Sequence, residues 1–265
     1  MVVQGPEPYA AWLRQQYGDA HNVNARIELH RRFSTNSYGW TRWVFDQLSL
    51  APEARVLELG CGTGLLWKAN RGRVDASWRM TLADLSSGML REARDNLDDL
   101  GTRVSFARID AQSLPFREDS FDAVVANHML YHVEDRDRAI SEIRRVLARD
   151  GIFYAATNGV AHLCELDQII RRFMGARRIR DKNAERFGLE TGESQLRRYF
   201  GSVELRRFQD SLIVTEAPPL VDYARSSMQG MTEEALAAML AYLEDQLHHH
   251  GSIRISKDAG MFISR

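Results

Sequence analysis

Residues 56–64 read Val-Leu-Glu-Leu-Gly-Cys-Gly-Thr-Gly, and the reading of this stretch decides the fold. Val56, Leu57 and Leu59 have the bulk and β-propensity of a short buried strand. Gly60, Gly62 and Gly64 strip side chains from alternate positions, so the backbone can take positive φ and approach a ligand closely. Leu65, Leu66 and Trp67 then open a helix whose first N–H groups face the same space. A dinucleotide fingerprint is spaced G-x-G-x-x-G, which seats a pyrophosphate on the helix N-terminus. Here the spacing is E-x-G-x-G-x-G, from Glu58 to Gly64. A carboxylate at the strand end suits an ammonium and repels a pyrophosphate.

This motif resembles the first motif of the class I S-adenosylmethionine (SAM) dependent methyltransferases, whose cofactor has a zwitterionic amino-acid tail where NAD has phosphates. The resemblance implies an α/β fold: a seven-stranded Rossmann-like sheet with helices on both faces and an antiparallel last strand. It places Glu58, Gly60, Cys61, Gly62 and Gly64 around the cofactor. Ser77 to Asp84 reads as strand two, ending on an acid 20 residues after Gly64. A carboxylate there can accept bonds from both ribose hydroxyls, and Ser86 and Ser87 are free to cap the next helix. Leu-Ala-Asp-Leu-Ser-Ser-Gly-Met-Leu resembles the family's second motif, in which Leu85 and Met89 flank the adenine. Helix Ser87 to Leu100 is expected to end at Gly101. After strand Arg103 to Ala107, the segment Asp110-Ala111-Gln112 leads into Leu114-Pro115-Phe116. By resemblance, Asp110 lies near the adenine amino group and the following backbone near a ring nitrogen.

Strand four, Phe121 to Ala126, runs into Asn127-His128-Met129-Leu130-Tyr131-His132. In open α/β sheets ligands bind beyond the strand C-termini where strand order reverses, and strands one and four flank that point in this fold. Asn127 is therefore assigned to the cofactor, and His128 and Tyr131 to the methyl acceptor. His128 is the candidate general base, its ordinary pKa lying near operating pH; a bond to the cofactor tail or lid is the equal alternative. Tyr131 would orient the acceptor, and His132 has a structural role by resemblance. Helix Arg136 to Ala148, capped by Asp135, and strand five, Ile152 to Thr157, complete the stretch that the resemblance covers well.

The flanks match loosely. Residues 1–50 are expected to form an N-terminal helical lid with helices Ala10 to Tyr17, Ala25 to Phe33 and Trp40 to Leu48. Tyr17, His30, Phe33 and Tyr38 are its candidate lid residues, with simple packing the alternative for each. Residues 51–265 form the core, with a substrate-covering insertion at about 160–200. Within it, Ala161 to Arg178 and Thr191 to Phe200 read as helices, with Thr191 as a cap. Strand six falls in Ser202 to Val214, Pro218-Pro219 breaks the chain, and helices follow at Leu220 to Ser227 and Thr232 to His248. Ser252 to Ser256 and Gly260 to Ser264 close the chain, the second supplying an antiparallel edge strand. His248-His249-His250 reads as a helix end, because neighbours on a helix point about 100° apart and cannot share one ion.

The chain has 265 residues, 44% hydrophobic and 27% charged, with a net charge of −1. That balance provides no basic field for nucleic acid. Two cysteines make no disulfide framework, and a reduced cytoplasmic setting is expected. No apolar run approaches a bilayer span and no signal peptide is evident. The resulting expectation is a SAM-dependent methyltransferase acting on a small molecule, such as a natural-product or secondary-metabolite intermediate, with no metal and no membrane or nucleic-acid partner. A homo-oligomer is left open, as are acceptor identity and atom. The alternative is a SAM-binding relative that catalyses a non-methylating reaction such as a cyclisation; an NAD-dependent oxidoreductase is disfavoured by the glycine spacing and Asp110.

Overall fold

The segment around Val56 becomes the centre of a sheet because its side chains are apolar on both faces. In the computed structural model, which describes residues 21–174, 183–227 and 231–265, β1 (Arg55–Leu59) lies parallel between β2 (Arg79–Asp84) and β4 (Phe121–Asn127), with Val56 opposite Met80 on one side and Ala123 on the other. β3 (Val104–Arg108) continues outward from β2, and β5 (Leu147–Asn158) from β4. The seven strands run in the order β3-β2-β1-β4-β5-β7-β6, where β6 is Val203–Val214 and β7 is Ile253–Ser264. The chain reverses its direction of travel between β1 and β4, so the crevice at their C-terminal ends is the ligand position of a doubly wound sheet. Alternate residues separate two apolar clusters, one containing Leu57, Val124 and Phe153 and the other Val56, Val125 and Tyr154. Helices cover both faces.

The last strand corrects an expectation. β7 is antiparallel, but it pairs with both β5 and β6, and β6 takes the edge. Ala259 to Ser264 are buried throughout, whereas β6 exposes Glu204, Arg206 and Arg207. Charges along an exposed edge discourage pairing with another chain, so this assignment was readable from the charge pattern. Residues 252–256 and 260–264 also join into one continuous strand.

Helix ends show where tertiary contacts override local pattern. α1 (His21–Phe33) and α2 (Trp40–Asp46) precede the sheet, and α3 (Leu65–Ala69) follows the glycine turn. α4 (Ser87–Asn96) starts as expected: Ser86 accepts a bond from the Met89 N–H at 3.3 Å. It stops before Gly101, however, and Gly101 lies inside a following 3₁₀ segment, Asp98–Arg103. Leu97 ends the helix by burying its side chain under Gly64, where an added Cβ would sit 2.7 Å from Leu97 Cδ1. α5 (Arg136–Val146), capped by Asp135, ends before Ala148 because Leu147 joins the sheet opposite Phe121.

The later helices are α6 (Cys164–Met174), α7 (Asn183–Phe187), α8 (Gly192–Leu196), α9 (Pro218–Ser227) and α10 (Glu233–His250). α8 is shorter than expected, and the Thr191 side chain makes no capping bond to it; its hydroxyl accepts from the Gly188 N–H instead. Pro218 and Pro219 begin α9 rather than break the chain, since proline is favoured in a first helical turn. Thr232 caps α10, and exposed His248, His249 and His250 end it against Gly251 in the left-handed conformation. Ala10 to Tyr17 lies outside the described residues. Among the described residues, no helix is long and apolar enough to cross a membrane.

Candidate functional site

The glycine turn is built around Asp84. Its two carboxylate oxygens accept the Gly62 N–H at 2.9 Å and the Ser86 N–H at 2.8 Å, tying the loops after β1 and β2 together. Burial pushes its pKa up, opposed by the Ser86, Gly62 and Leu85 backbone bonds. Gly60 has φ +67°, and an added Cβ would meet Met129 Cβ at 2.7 Å, so the β4 loop closes directly over this glycine. At Gly62 (φ +55°) an added Cβ meets nothing within 4 Å, so the turn leaves open space on the cleft wall. Cys61 is buried on the cleft wall, and burial pushes its thiol up in pKa, which disfavours it as a nucleophile.

A single cleft of about 2110 Å³ brings together every predicted site residue except Gly64. Leu85 is 59% exposed and Met89 2% exposed, both on its wall. Asp110 accepts bonds from the backbone and side chain of Gln112, and Gln112 in turn accepts the Asp135 N–H at 2.9 Å. That chain of bonds fixes Asp110 and Ala111 at the mouth of the cleft. Gly64 stands behind the wall, packed on Leu97.

Glu58 departs from its expected state. It is 2% exposed and accepts a 2.6 Å bond from Trp67 Nε1. Burial raises its pKa to about 8, Trp67 opposes the shift, and nearby Asp84 adds to it. At neutral pH the group is mostly a carboxylic acid, not the anion expected from the motif. Trp67, nine residues on from Glu58, thus both opens the helix and reaches back to this carboxyl.

His128 also differs from expectation. It has φ +56°, an uncommon conformation for a non-glycine residue and one that concentrates at functional sites. Burial and the Lys257 charge bring its pKa down to about 4, far below operating pH. Its ring lies 5.1 Å from that of Trp40 and 6.4 Å from that of Tyr131. Its Nδ1, the Trp40 Nε1 and the Asn127 Oδ1 are all buried without a hydrogen-bond partner. Tyr131 is buried and edge-on to His132 at 4.5 Å.

Of the lid candidates, His30 lines the cleft. Phe33 packs in the core beside Leu212, and the Tyr38 hydroxyl bonds Asp46 away from the cleft. Tyr17 lies outside the described residues. The sequence reading missed Trp40, His162 and Lys257 as cleft residues. The predicted insertion does reach the cleft, through Val160 to Arg171 and Asn183 to Arg186.

These residues fit SAM. Asn127 Oδ1 is a buried acceptor lacking a donor, Gly62 leaves a cradle, and acids end β1 and β2 or follow β3 beside the apolar pair Leu85 and Met89. The cleft also exceeds the roughly 300–1,000 Å³ usual for one small ligand, which leaves room for a second molecule. Among the described residues, no group of three or more His, Cys, Asp or Glu side chains is arranged to hold a metal.

Comparison with known proteins agrees with the fold. The methyltransferase-domain family profile matches residues 57–155. A ubiquinone/menaquinone biosynthesis C-methyltransferase, UbiE, of Methylococcus capsulatus is 37% identical over 135 residues, 50% of this chain and 52% of the relative. A malonyl-[acyl-carrier protein] O-methyltransferase of Geobacter sulfurreducens is 42% identical over 113 residues, 43% of this chain and 42% of the relative. The chain thus spans about half the length of the curated relatives it matches. Among solved structures, the [4+2]-cyclase SpnF aligns with TM-score 0.56 at 23% identity, covering 95% of this chain and 94% of its own. A Haemonchus contortus phosphoethanolamine N-methyltransferase 2 bound to S-adenosylhomocysteine aligns with TM-score 0.60 at 17% identity, covering 99% of this chain and 60% of its own. The strand order, the cleft at the β1–β4 reversal and the profile match over residues 57–155 together support a class I SAM-dependent methyltransferase, with the methyltransferase domain matched over that stretch.

Proposed function

We propose that this protein transfers a methyl group from SAM to a small-molecule acceptor. The observation that carries the reading is the convergence of Glu58, Asp84, Asp110 and the unpartnered Asn127 oxygen on one cleft with space for a second ligand. SAM supplies an electrophilic methyl on a sulfonium centre. Asp84 would accept the ribose hydroxyls, Asp110 and the Ala111 backbone would meet the adenine edge, and Leu85 and Met89 would flank the ring. Glu58 and Asn127 would receive the amino-acid tail. Residues 21–50 and the segment around 160–200 would serve as lid and substrate cover. The chain's free thiols, Cys61 and Cys164, suit the cytoplasm.

His128 and Tyr131 are the proposed acceptor-side residues. With its pKa near 4, His128 is neutral throughout the physiological range and a weak base, so it acts chiefly by hydrogen bonding and shape. His128→Ala is expected to lower kcat by about tenfold to a hundredfold through acceptor misplacement, with SAM affinity little changed. The wild-type kcat should show no His128 inflection between pH 6 and 7. Steady-state kinetics beside calorimetry checks both, and a loss of SAM affinity larger than the loss in kcat makes His128 a cofactor ligand.

The deciding experiment incubates the protein with SAM carrying a deuterated methyl group and metabolite extract, followed by mass spectrometry. A new labelled species supports methyl transfer. Bound SAM with no labelled species and no S-adenosylhomocysteine favours a second reading, a non-methylating reaction such as a cyclisation. The likeness of the fold to a [4+2]-cyclase over 95% of the chain is what keeps that reading in view.

A further inference from the structure

The cleft is lined by two sets of polar groups. Glu58, Asp84 and Asp110 belong to β1, β2 and the loop after β3, while His30 of α1, His162 after β5 and Lys257 of β7 form a second group. The His30 and His162 rings lie 6.0 Å apart. Lys257 acts electrostatically on both rings and on His128, so the four groups share one region. Burial keeps these imidazoles neutral: His30 falls to about 3 and His162 lies well below its ordinary value.

The hydrogen bonding shows what this group offers a ligand. His162 Nδ1 accepts the Asp258 N–H at 3.2 Å, so the one proton of the neutral ring sits on Nε2, leaving a donor. The Lys257 side chain, 8% exposed, pairs with the Asp210 side chain, which is fully buried. Asp210 already accepts from Ser34 Oγ at 2.6 Å, the Asn36 N–H at 3.0 Å and the Ser211 N–H at 2.8 Å. Asp167, on the same wall, pairs with Arg171. Among the described residues, Lys257 and the His162 Nε2–H are therefore donors on the cleft wall, and the carboxylates Asp210 and Asp167 are already engaged. Ile27, Leu163, Leu166 and Ile170 make the adjoining wall apolar.

We propose that His30, His162 and Lys257 form a carboxylate-binding subsite, and that the methyl acceptor is a small carboxylic acid with an apolar body. This rests on the methyltransferase reading and names its substrate class. The carboxylate oxygen forms the new O–CH₃ bond as the methyl–sulfur bond breaks. The electron pair of that bond returns to sulfur, leaving S-adenosylhomocysteine and a methyl ester. No proton moves, so a weakly basic His128 is no handicap. An amine acceptor would arrive as a cation beside Lys257, and a phenol would need a base the site does not supply at neutral pH.

The test uses matched probes, benzoate against benzamide and hexanoate against hexanamide, titrated calorimetrically into the full chain saturated with S-adenosylhomocysteine. Charge-assisted bonds should favour each acid over its amide by about tenfold. His162→Phe and His30→Phe should erase the preference while retaining S-adenosylhomocysteine affinity. His162→Gln, which restores a donor, should recover part of it. Lys257 is left in place because its removal would strand the buried Asp210 carboxylate. Equal binding of acid and amide, no binding of either acid, or a preference that survives both phenylalanine substitutions overturns the subsite. In the labelling experiment, a deuterated methyl released by mild alkali identifies an ester. A label stable to alkali overturns the carboxylate acceptor and leaves methyl transfer standing. Absence of any label removes methyl transfer, and the acid–amide titration then decides the subsite independently.

Discussion

Asp84→Ala is expected to weaken SAM binding by about a hundredfold or more. One carboxylate oxygen accepts the Gly62 N–H and the other the Ser86 N–H, and a carboxylate's roughly four acceptor directions leave it able to accept from ribose hydroxyls as well. Two hydrogen bonds to a charged group contribute about 1.5–3 kcal/mol each. Every 1.4 kcal/mol is about a factor of ten, so their joint loss exceeds a hundredfold. The substitution also releases the Gly62 N–H that positions the glycine turn, adding to the effect. Asp84→Asn, which keeps one oxygen acceptor, should fall between alanine and wild type. Calorimetry of SAM binding measures both variants, with thermal unfolding confirming that each is folded. Unchanged affinity in Asp84→Ala would remove the ribose assignment.

The same residue shows why part of the site was legible in the sequence. Glu58, the glycines, Asp84 and Asp110 each follow a strand, and strand C-termini in this fold converge on one crevice. Local order along the chain therefore determines their meeting in space. His30, His162 and Lys257 reach the cleft from a helix, a loop and the antiparallel strand, and Lys257 meets Asp210 only through the β6–β7 pairing, where the two are opposite. No periodicity or short motif encodes that meeting. The position of β7 inside the sheet had a signal, the apolar run at Met261, Phe262 and Ile263 against the charged Glu204, Arg206 and Arg207. The protonation states of Glu58 and His128 had none, since both depend on how completely other elements exclude water.

Ligand-free stability is expected to fall as pH rises from about 4.5 to 8, and SAM affinity to rise over the upper part of that range, both through Glu58. Its carboxyl goes from an ordinary value of 4.5 to about 8 in the fold, because burial disfavours the charge more than the Trp67 N–H favours it. Between those values the folded protein holds a proton that the unfolded chain releases. Stability is therefore full below the unfolded value and is lost through the window, by on the order of 4–5 kcal/mol in total. Denaturant unfolding at pH 5 and pH 8 measures this, and Glu58→Gln should flatten the Glu58 component while retaining an acceptor for Trp67. The binding trend has the opposite sign for a physical reason. A cation brought near Glu58 favours its ionised form, so below pH 8 SAM binding should expel a proton, with affinity rising by up to about tenfold per pH unit before levelling off. Proton release appears as a dependence of the calorimetric enthalpy on buffer, and it should vanish in Glu58→Gln. A pH-independent affinity with no proton release would mean that the cofactor's charged tail does not reach Glu58, and would assign that tail to Asn127 alone.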